Sequence, residues 1–422
     1  MSIFNGLLNT FKNNNTKTNN SATRAVVTGT SVGQSNKTKA PQSQPVRWNA
    51  KSQSKSSVSS DTCGAANWFN GIGATSAKTP DKLTVYDGKG NPLTLTAADS
   101  KASGGEGTVY TMPGKPNVLV KIYKDEILAK PEKRREIETR LFDMLAIHKE
   151  ISQDCFAWPR AAVYNKQKQV IGFAMNCCKG VSFQSLSGLK SIQRHFPQWN
   201  RYDLALVAQD FLLKLQYLAS KNVLVNDFNP ANFLVDEQRH VHFIDCDSFQ
   251  VPGEKRNVDI TKTYFASHTA PELLANPKLL AQPRNIHQVE FSAALTVFNI
   301  LMCGLHPYSY FDPTRKDACG TPDENLRKGR CPLGVGSDCK FPEGNWYNLW
   351  SYLTFKLKDS LIRTFKDGHN DPSKRATLAE LQANVKELLY VMKKDPVRLD
   401  LNPTTRKPKV ISSQGQNFSM DF

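Results

Sequence analysis

From position 83 the apolar residues come in short β-type runs, 83–86, 93–95, 108–111 and 118–123, each bounded by Gly, Pro, Asn or Asp. Beyond Cys178 the repeat lengthens to that of helices. This switch constrains the fold most, because strands gathered at one end and helices at the other do not wind into alternating β-α-β units and give a segregated α+β chain instead. Pro131 stands at a first helical turn, and Ile137, Leu141, Phe142 and Leu145 recur behind it at helical spacing, so one long helix is predicted among the strands. Residues 169–175 read as the last strand of the β-rich part. Asn200 is placed to cap a helix over 201–220 with Leu204, Val207, Ala208, Phe211, Leu212 and Leu215 on one face. Short strands are predicted at 223–225, 233–235 and 241–244, and helices over 288–303, 346–357, 359–366 and 378–393.

Residues 1–80 are rich in Ser, Thr, Asn, Gln and Lys and are expected to be a disordered tail, too polar to bury enough surface to offset chain entropy. Nine Lys and Arg face one acid, Asp61, in this stretch, so about half of the net +17 belongs to it. The lysines are scattered and accompany no recognisable module, which argues against nucleic acid as a partner. Two apolar islands, Ile3 to Phe11 and Trp68-Phe69, read as a frayed turn or as contacts with the folded part, the alternative being docking on a membrane surface or partner. The longest nearly apolar run, 293–303, is interrupted by Thr296 and Asn299 and falls short of the ~20 residues a bilayer requires. The N-terminus reads as a poor secretory signal, and nine unevenly spaced cysteines do not read as a disulfide framework. A cytoplasmic location without a membrane partner is therefore expected.

Two segments carry chemistry. Ser103-Gly104-Gly105-Glu106-Gly107-Thr108-Val109 is a glycine-rich turn between predicted strands, and Lys121 follows within an apolar strand. Glycines admit phosphates close to backbone N–H groups and a neighbouring lysine can pair with them, although a glycine hairpin alone is equally an ordinary turn. More specific is Val225-Asn226-Asp227-Phe228-Asn229-Pro230-Ala231-Asn232, with Asp245-Cys246-Asp247 beginning thirteen residues after Asn232 and a β-hairpin between. A carboxylate, an amide oxygen and a second carboxylate at adjoining strand ends provide a group that takes a hydroxyl proton and two oxygen ligands for Mg²⁺.

With these motifs in this order the chain resembles the eukaryotic-like (Hanks-type) protein kinase superfamily over about Leu83 to Pro396. The resemblance implies a bilobal fold: a small antiparallel β-rich lobe with one long helix over 81–178, a larger mostly helical lobe over 179–397, and a polar tail over 398–422. It implies ATP and Mg²⁺, or Mn²⁺, as cofactors. Ala102, Gly104, Gly105, Gly107 and Val109 then correspond to the phosphate-covering loop, and Lys121 to the lysine that holds the α and β phosphates. Glu138 is the expected helix partner of Lys121, with Glu136 as runner-up. Met175 corresponds to the gatekeeper, and Asn176, Cys177 and Cys178 to the hinge that meets adenine. Asp227 matches the catalytic aspartate, with Asn229 beside it, and Asn232 and Asp245 match the metal ligands. Ala270-Pro271-Glu272 matches A-P-E, and Arg375 of Asp371-Pro372-Ser373-Lys374-Arg375 matches the arginine that pairs with its glutamate.

The departures define a branch. Ala102 replaces the first glycine, Val225-Asn226 replaces H-R, Asn229 replaces the usual lysine, Asp245-Cys246-Asp247 replaces D-F-G and Val289 replaces an aspartate. The combination is similar to a divergent bacterial group encoded with tellurium-resistance-type and phosphatase genes, which implies protein substrates and a cognate phosphatase. The expected activity is transfer of the ATP γ-phosphate to Ser or Thr hydroxyls, the alternative a pseudokinase serving as a nucleotide-binding scaffold. The basic residues Lys130, Lys133, Arg134, Arg135 and Arg140 are read as a solvated helix face, Cys319, Cys331 and Cys339 as ordinary thiols, and His268 and His306 as structural.

Overall fold

The computed structural model describes residues 82–253, 264–310, 320–334, 340–342 and 344–405. The expected tail 1–80, with both apolar islands, lies outside them, as do Cys319, Cys339 and residues 406–422.

Seven antiparallel strands form one sheet in the order β2-β1-β6-β7-β5-β4-β3: β1 Lys82–Tyr86, β2 Pro92–Thr96, β3 Ser100–Ser103, β4 Gly107–Met112, β5 Lys115–Tyr123, β6 Pro159–Tyr164 and β7 Val170–Asn176. The runs read from hydrophobic alternation become β1, β2, β4, β5 and β7. The polar β3 and the Pro-led β6 carry little alternation of their own and are strands because their neighbours pair with them. The β1–β2 turn is tied by Asp87, whose carboxylate accepts from the Lys89 and Asn91 backbone N–H groups at 2.8 and 2.9 Å.

The Pro131–Ala146 helix joins β5 to β6 with its proline in the first turn. Its buried residues are Ile137, Arg140, Leu141 and Met144, at the i, i+3, i+4, i+7 positions of one face. Phe142, expected in that face, is 48% exposed, and Arg140, expected in solvent, is 7% exposed. The helix is seated on the sheet by the Trp158 indole, which donates to Met144 O at 3.1 Å, and by Arg160 of β6, which donates to His148 O and Ile151 O at 2.9 and 2.7 Å.

Helices make up most of the remainder. The 20-residue Arg201–Ser220 helix begins at Asn200, whose side chain accepts from Tyr202 N while Asp203 answers with the Asn200 N–H, a capping box. All six apolar residues expected on its face are buried. Beside it pack the helices Ile286–Leu301 and Leu378–Lys394, and Phe355–Phe365 packs on those two. The predicted break after 357 falls earlier, at Tyr352 to Thr354, and divides Trp346–Ser351 from Phe355–Phe365. Residues 223–225 form only an isolated bridge, Leu224 to Gln250, and no strand. A small antiparallel sheet is formed by β8 Val181–Ser182, β9 Phe233–Val235 and β10 Val241–Phe243. Past residue 397 the chain still packs: Arg398 donates to Tyr352 O, Asn348 donates to Pro403 O at 2.9 Å, and Leu401 is buried.

A curled antiparallel sheet in the first part and a helical second part are compatible with a bilobal, kinase-like α+β arrangement. Among the described residues no helix is long and apolar enough to cross a membrane.

Candidate active site

The two chemistry-bearing segments meet where Lys121 of β5 bonds Asp245 and Asp247, just after β10. Five buried rings hold the second segment. Phe228, next to Asp227, packs on Phe211 and Phe233, and Phe243, two residues before Asp245, packs on Phe211, Phe233 and Phe249. The Arg201–Ser220 helix anchors the hairpin by polar bonds as well, since Val241 N donates to Asp210 Oδ2 and Lys214 Nζ donates to Val241 O, both at 2.6 Å. Residues flanking the polar ones thus fix the backbone on which Asp227, Asn232 and Asp245 are presented.

Asp227 is 5% exposed and accepts from Asn229 N at 3.1 Å and Asn232 Nδ2 at 3.3 Å, with a further backbone bond from Phe265. Burial, reinforced by the Asp245 carboxylate, pushes its carboxyl up to about 6, against the pull of these hydrogen bonds. Asn229 caps a single turn of 3₁₀-helix, Pro230–Asn232, by accepting from Ala231 N at 3.0 Å. Asn226 donates to Ser248 O at 3.0 Å, which ties the loop to the segment after Asp247, and its buried Oδ1 has no partner among the described residues.

Asp245 has a left-handed backbone, φ 55° and ψ 36°, a conformation Asp tolerates better than most residues. Its Oδ1 accepts from Lys121 Nζ at 2.8 Å. Lys121 also donates to both oxygens of Asp247, at 2.9 and 2.8 Å, and the Tyr123 hydroxyl donates to Asp247 at 2.9 Å. Burial opposes the charge of Lys121, but the two aspartates outweigh it and hold the ammonium well above its ordinary value. Burial likewise raises Asp245, whereas Lys121 and Arg140 overcome it at Asp247 and keep that carboxylate below the usual range. The Lys121–Glu138 pair is not made: Glu138 is half-buried without an ion pair among the described residues, and Glu136 bonds Lys133 at 3.2 Å.

In the glycine turn, Ala102 of β3 pairs with Val109 of β4, Val109 pairs in turn with Lys121, and Gly104 N donates to Gly107 O at 2.8 Å. A Cβ on Gly107 would lie 2.5 Å from Ile122 O, so the fold itself requires that glycine. One on Gly105 would meet nothing within 4 Å, and packing does not require it. Glu106 adds negative charge toward Lys121 and Asp245. Met175 is 2% exposed opposite Leu119, Asn176 donates to Asp154 at 2.9 Å, and Cys177 N donates to Asn117 O at 2.9 Å.

Farther off, Arg375 binds Glu272 through both terminal nitrogens at 2.9 and 2.7 Å, the pair expected from the resemblance. His306 Nε2 bonds Ser267 O at 2.7 Å and its Nδ1 accepts from Tyr308 N at 3.2 Å. With one nitrogen donating and the other accepting, the imidazole is neutral.

Sequence reading missed Asp247, Tyr123 and Arg140 as site residues. The signals were present. Tyr123 lies two residues from Lys121 on a strand and so shares its face, and Arg140 lies three residues from Ile137 on a helix and so shares its core stripe.

Asn232 and Asp245 are hard oxygen donors, and Asn232 already turns its amide nitrogen to Asp227, which leaves Oδ1 for a cation. Among the described residues no cluster of three or more His, Cys, Asp or Glu is arranged to hold a metal. The donor set fits an ion that takes few protein ligands and draws the others from water and phosphate, as Mg²⁺ does.

The fold is compatible with a kinase-like arrangement. It is similar to the protein named "Protein kinase YegI" of Escherichia coli O157:H7, 28% identical over 238 residues, 54% of this chain and 34% of that protein. The protein of the same name from strain K12 is 28% identical over 237 residues, with the same shares. The chain spans about a third of the length of the curated relatives it matches. No family model matches it. The homology supports a protein-kinase-like family.

Proposed function

We propose that the chain transfers the γ-phosphoryl group of ATP to Ser or Thr hydroxyls of protein substrates with the help of Mg²⁺ or Mn²⁺. One observation supports the reading: Lys121 donates to Asp245 at 2.8 Å, Asn232 donates to Asp227 at 3.3 Å, and the Asp245 charge acts on Asp227. Asp227 orients the substrate hydroxyl and accepts its proton at a carboxylate oxygen. Lys121 binds phosphate oxygens, and the open space at Gly105 lets backbone N–H groups approach them. Asn232 and Asp245 hold the divalent cation, which when bound neutralises charge on the transferring phosphoryl group. Asn229 keeps the Asp227 loop in shape through its cap but brings no positive charge to the phosphate. Met175 closes the back of the adenine site, and the backbone of Asn176 and Cys177 borders the base. The reading extends to a cytoplasmic enzyme of the bacterial branch noted above, whose products a phosphatase reverses.

A second reading, a nucleotide-binding scaffold without transfer, is favoured by the fact that Lys121 occupies the Asp245 carboxylate in the resting chain. Incubation of the full chain with ATP and Mg²⁺, read by the intact mass of the chain and of a generic basic protein, separates the two. Phosphate added by the wild type and not by Asp227→Ala or Asp245→Asn is the expected result. Nucleotide binding without any transfer would establish the scaffold.

A further inference from the structure

Three observations meet at Asp247. Its side chain is 4% exposed, and both oxygens are bonded, to Lys121 at 2.9 and 2.8 Å and, at the second oxygen, to the Tyr123 hydroxyl at 2.9 Å. Arg140 comes from the core face of the Pro131–Ala146 helix, is buried, and its positive charge acts on both Tyr123 and Asp247. Glu138, on the same helix, makes no ion pair with Lys121.

A buried ammonium needs a permanent counter-charge, because an unpaired charge in a low-dielectric site is strongly unfavourable. Asp245 cannot serve as one while it also ligates a cation. Asp247 has no second duty. We propose that Asp247 is the positioning carboxylate of Lys121, in the place the resemblance assigns to Glu138, and that Tyr123 and Arg140 hold Asp247 in turn. The lysine's partner then rides on the turn that carries Asp245, and the helix supplies the outer cation of a Lys121–Asp247–Arg140 row. Moving that helix would strip the counter-charge from Asp247 rather than the partner from Lys121. The catalytic meaning of this arrangement rests on the phosphotransferase reading; the pairing itself does not.

The test uses the full chain without nucleotide. Lys121 is labelled with an amine-acylating reagent, its rate is read by peptide mass spectrometry, and Mg·ATP affinity is measured by calorimetry. Asp247→Asn is expected to label Lys121 at least about tenfold faster and to weaken Mg·ATP by about tenfold or more, as loss of a charge-assisted pair should. Tyr123→Phe, which removes one bond and keeps the ring, should move both by roughly two- to fivefold in the same direction. Glu138→Gln should leave the labelling rate within about twofold, having no such pair to lose. Equal labelling of wild type and Asp247→Asn, or a rise confined to Glu138→Gln, overturns the proposal. Should Asp247→Asn fail to fold, Tyr123→Phe decides: no change in its labelling overturns the proposal. A wild type that binds no Mg·ATP defeats the functional reading, while the labelling series still decides the pairing.

Discussion

Asp227, the proton acceptor of the proposed function, has a carboxyl held at about 6 by burial and by Asp245. Only the ionised form accepts a proton, so the acid limb of the pH profile of kcat/KM should bend near pH 6. Stability follows the opposite sense. The folded-state value lies above the ordinary 3.8, so the folded chain binds this proton more tightly, and the associated stabilisation is lost as pH rises from about 4 through about 6. Asp227→Asn should therefore abolish transfer yet raise the thermal midpoint at pH 7.5, by about 1–3 kcal/mol in stability; a lower midpoint would refute the account. The Arg375–Glu272 pair is a different kind of site. Arg375 has 0% side-chain exposure, bonds Gly368 O and His287 O besides Glu272, and lies 5.0 Å from the centre of the Phe291 ring. Glu272→Gln leaves that guanidinium uncompensated and should lower stability by about 2–3 kcal/mol in urea titrations, toward the low end for buried pairs because Glu272 is partly exposed. Both residues were legible in the sequence because their motifs lie in order along the chain. The partner of Lys121 was not, since a lysine in a strand specifies a need for negative charge and not which of several nearby carboxylates satisfies it.

At the scale of the element, the β3–β4 turn holds one glycine that packing requires and one that it does not. Gly107→Ala would drive a Cβ to within 2.5 Å of the β5 backbone and should destabilise the sheet. Gly105→Ala meets nothing and should leave the thermal midpoint within about 1 °C, while weakening Mg·ATP severalfold by keeping backbone N–H groups from phosphate. Calorimetry and a thermal melt on the same two variants check the split, and equal effects at both positions would remove the phosphate role from Gly105. Element boundaries were readable where caps are strong, as at Asn200 and Pro131. They were misread where burial outweighs local pattern. The break at Tyr352 to Thr354 lies among buried residues with no Gly or Pro to announce it. On the Pro131–Ala146 helix, hydrophobicity nominated Phe142 for the core, yet the face that meets the sheet takes Arg140, because a buried Asp247 and Tyr123 await its charge.

For the molecule as a whole, acid stability is set by groups far apart in sequence. Burial drives His306 down to about 4 and His268 well below its ordinary value, so both stay neutral when folded. The unfolded chain binds those protons first, so their stabilisation is complete above about pH 6.5 and is lost as pH falls toward 4, about 3 kcal/mol for His306 alone. Asp227 works against this slope in the same window, but two histidines outweigh one carboxylate, and net destabilisation on acidification is expected. Urea midpoints between pH 4.5 and 7.5 test it: His306→Gln should flatten the slope whatever its stability at pH 7.5. Sequence by itself determined the segregated α+β order, most strands and the long helices, and nominated Asp227, Asn232, Asp245 and Lys121 as candidates, because period, caps and motif spacing are local properties of a chain. Only tertiary structure decided that Lys121 pairs with Asp247, that Arg140 is buried and that Gly105 faces open space, because each depends on which distant surfaces meet and on how a few buried charges find the least unfavourable partners once water is excluded.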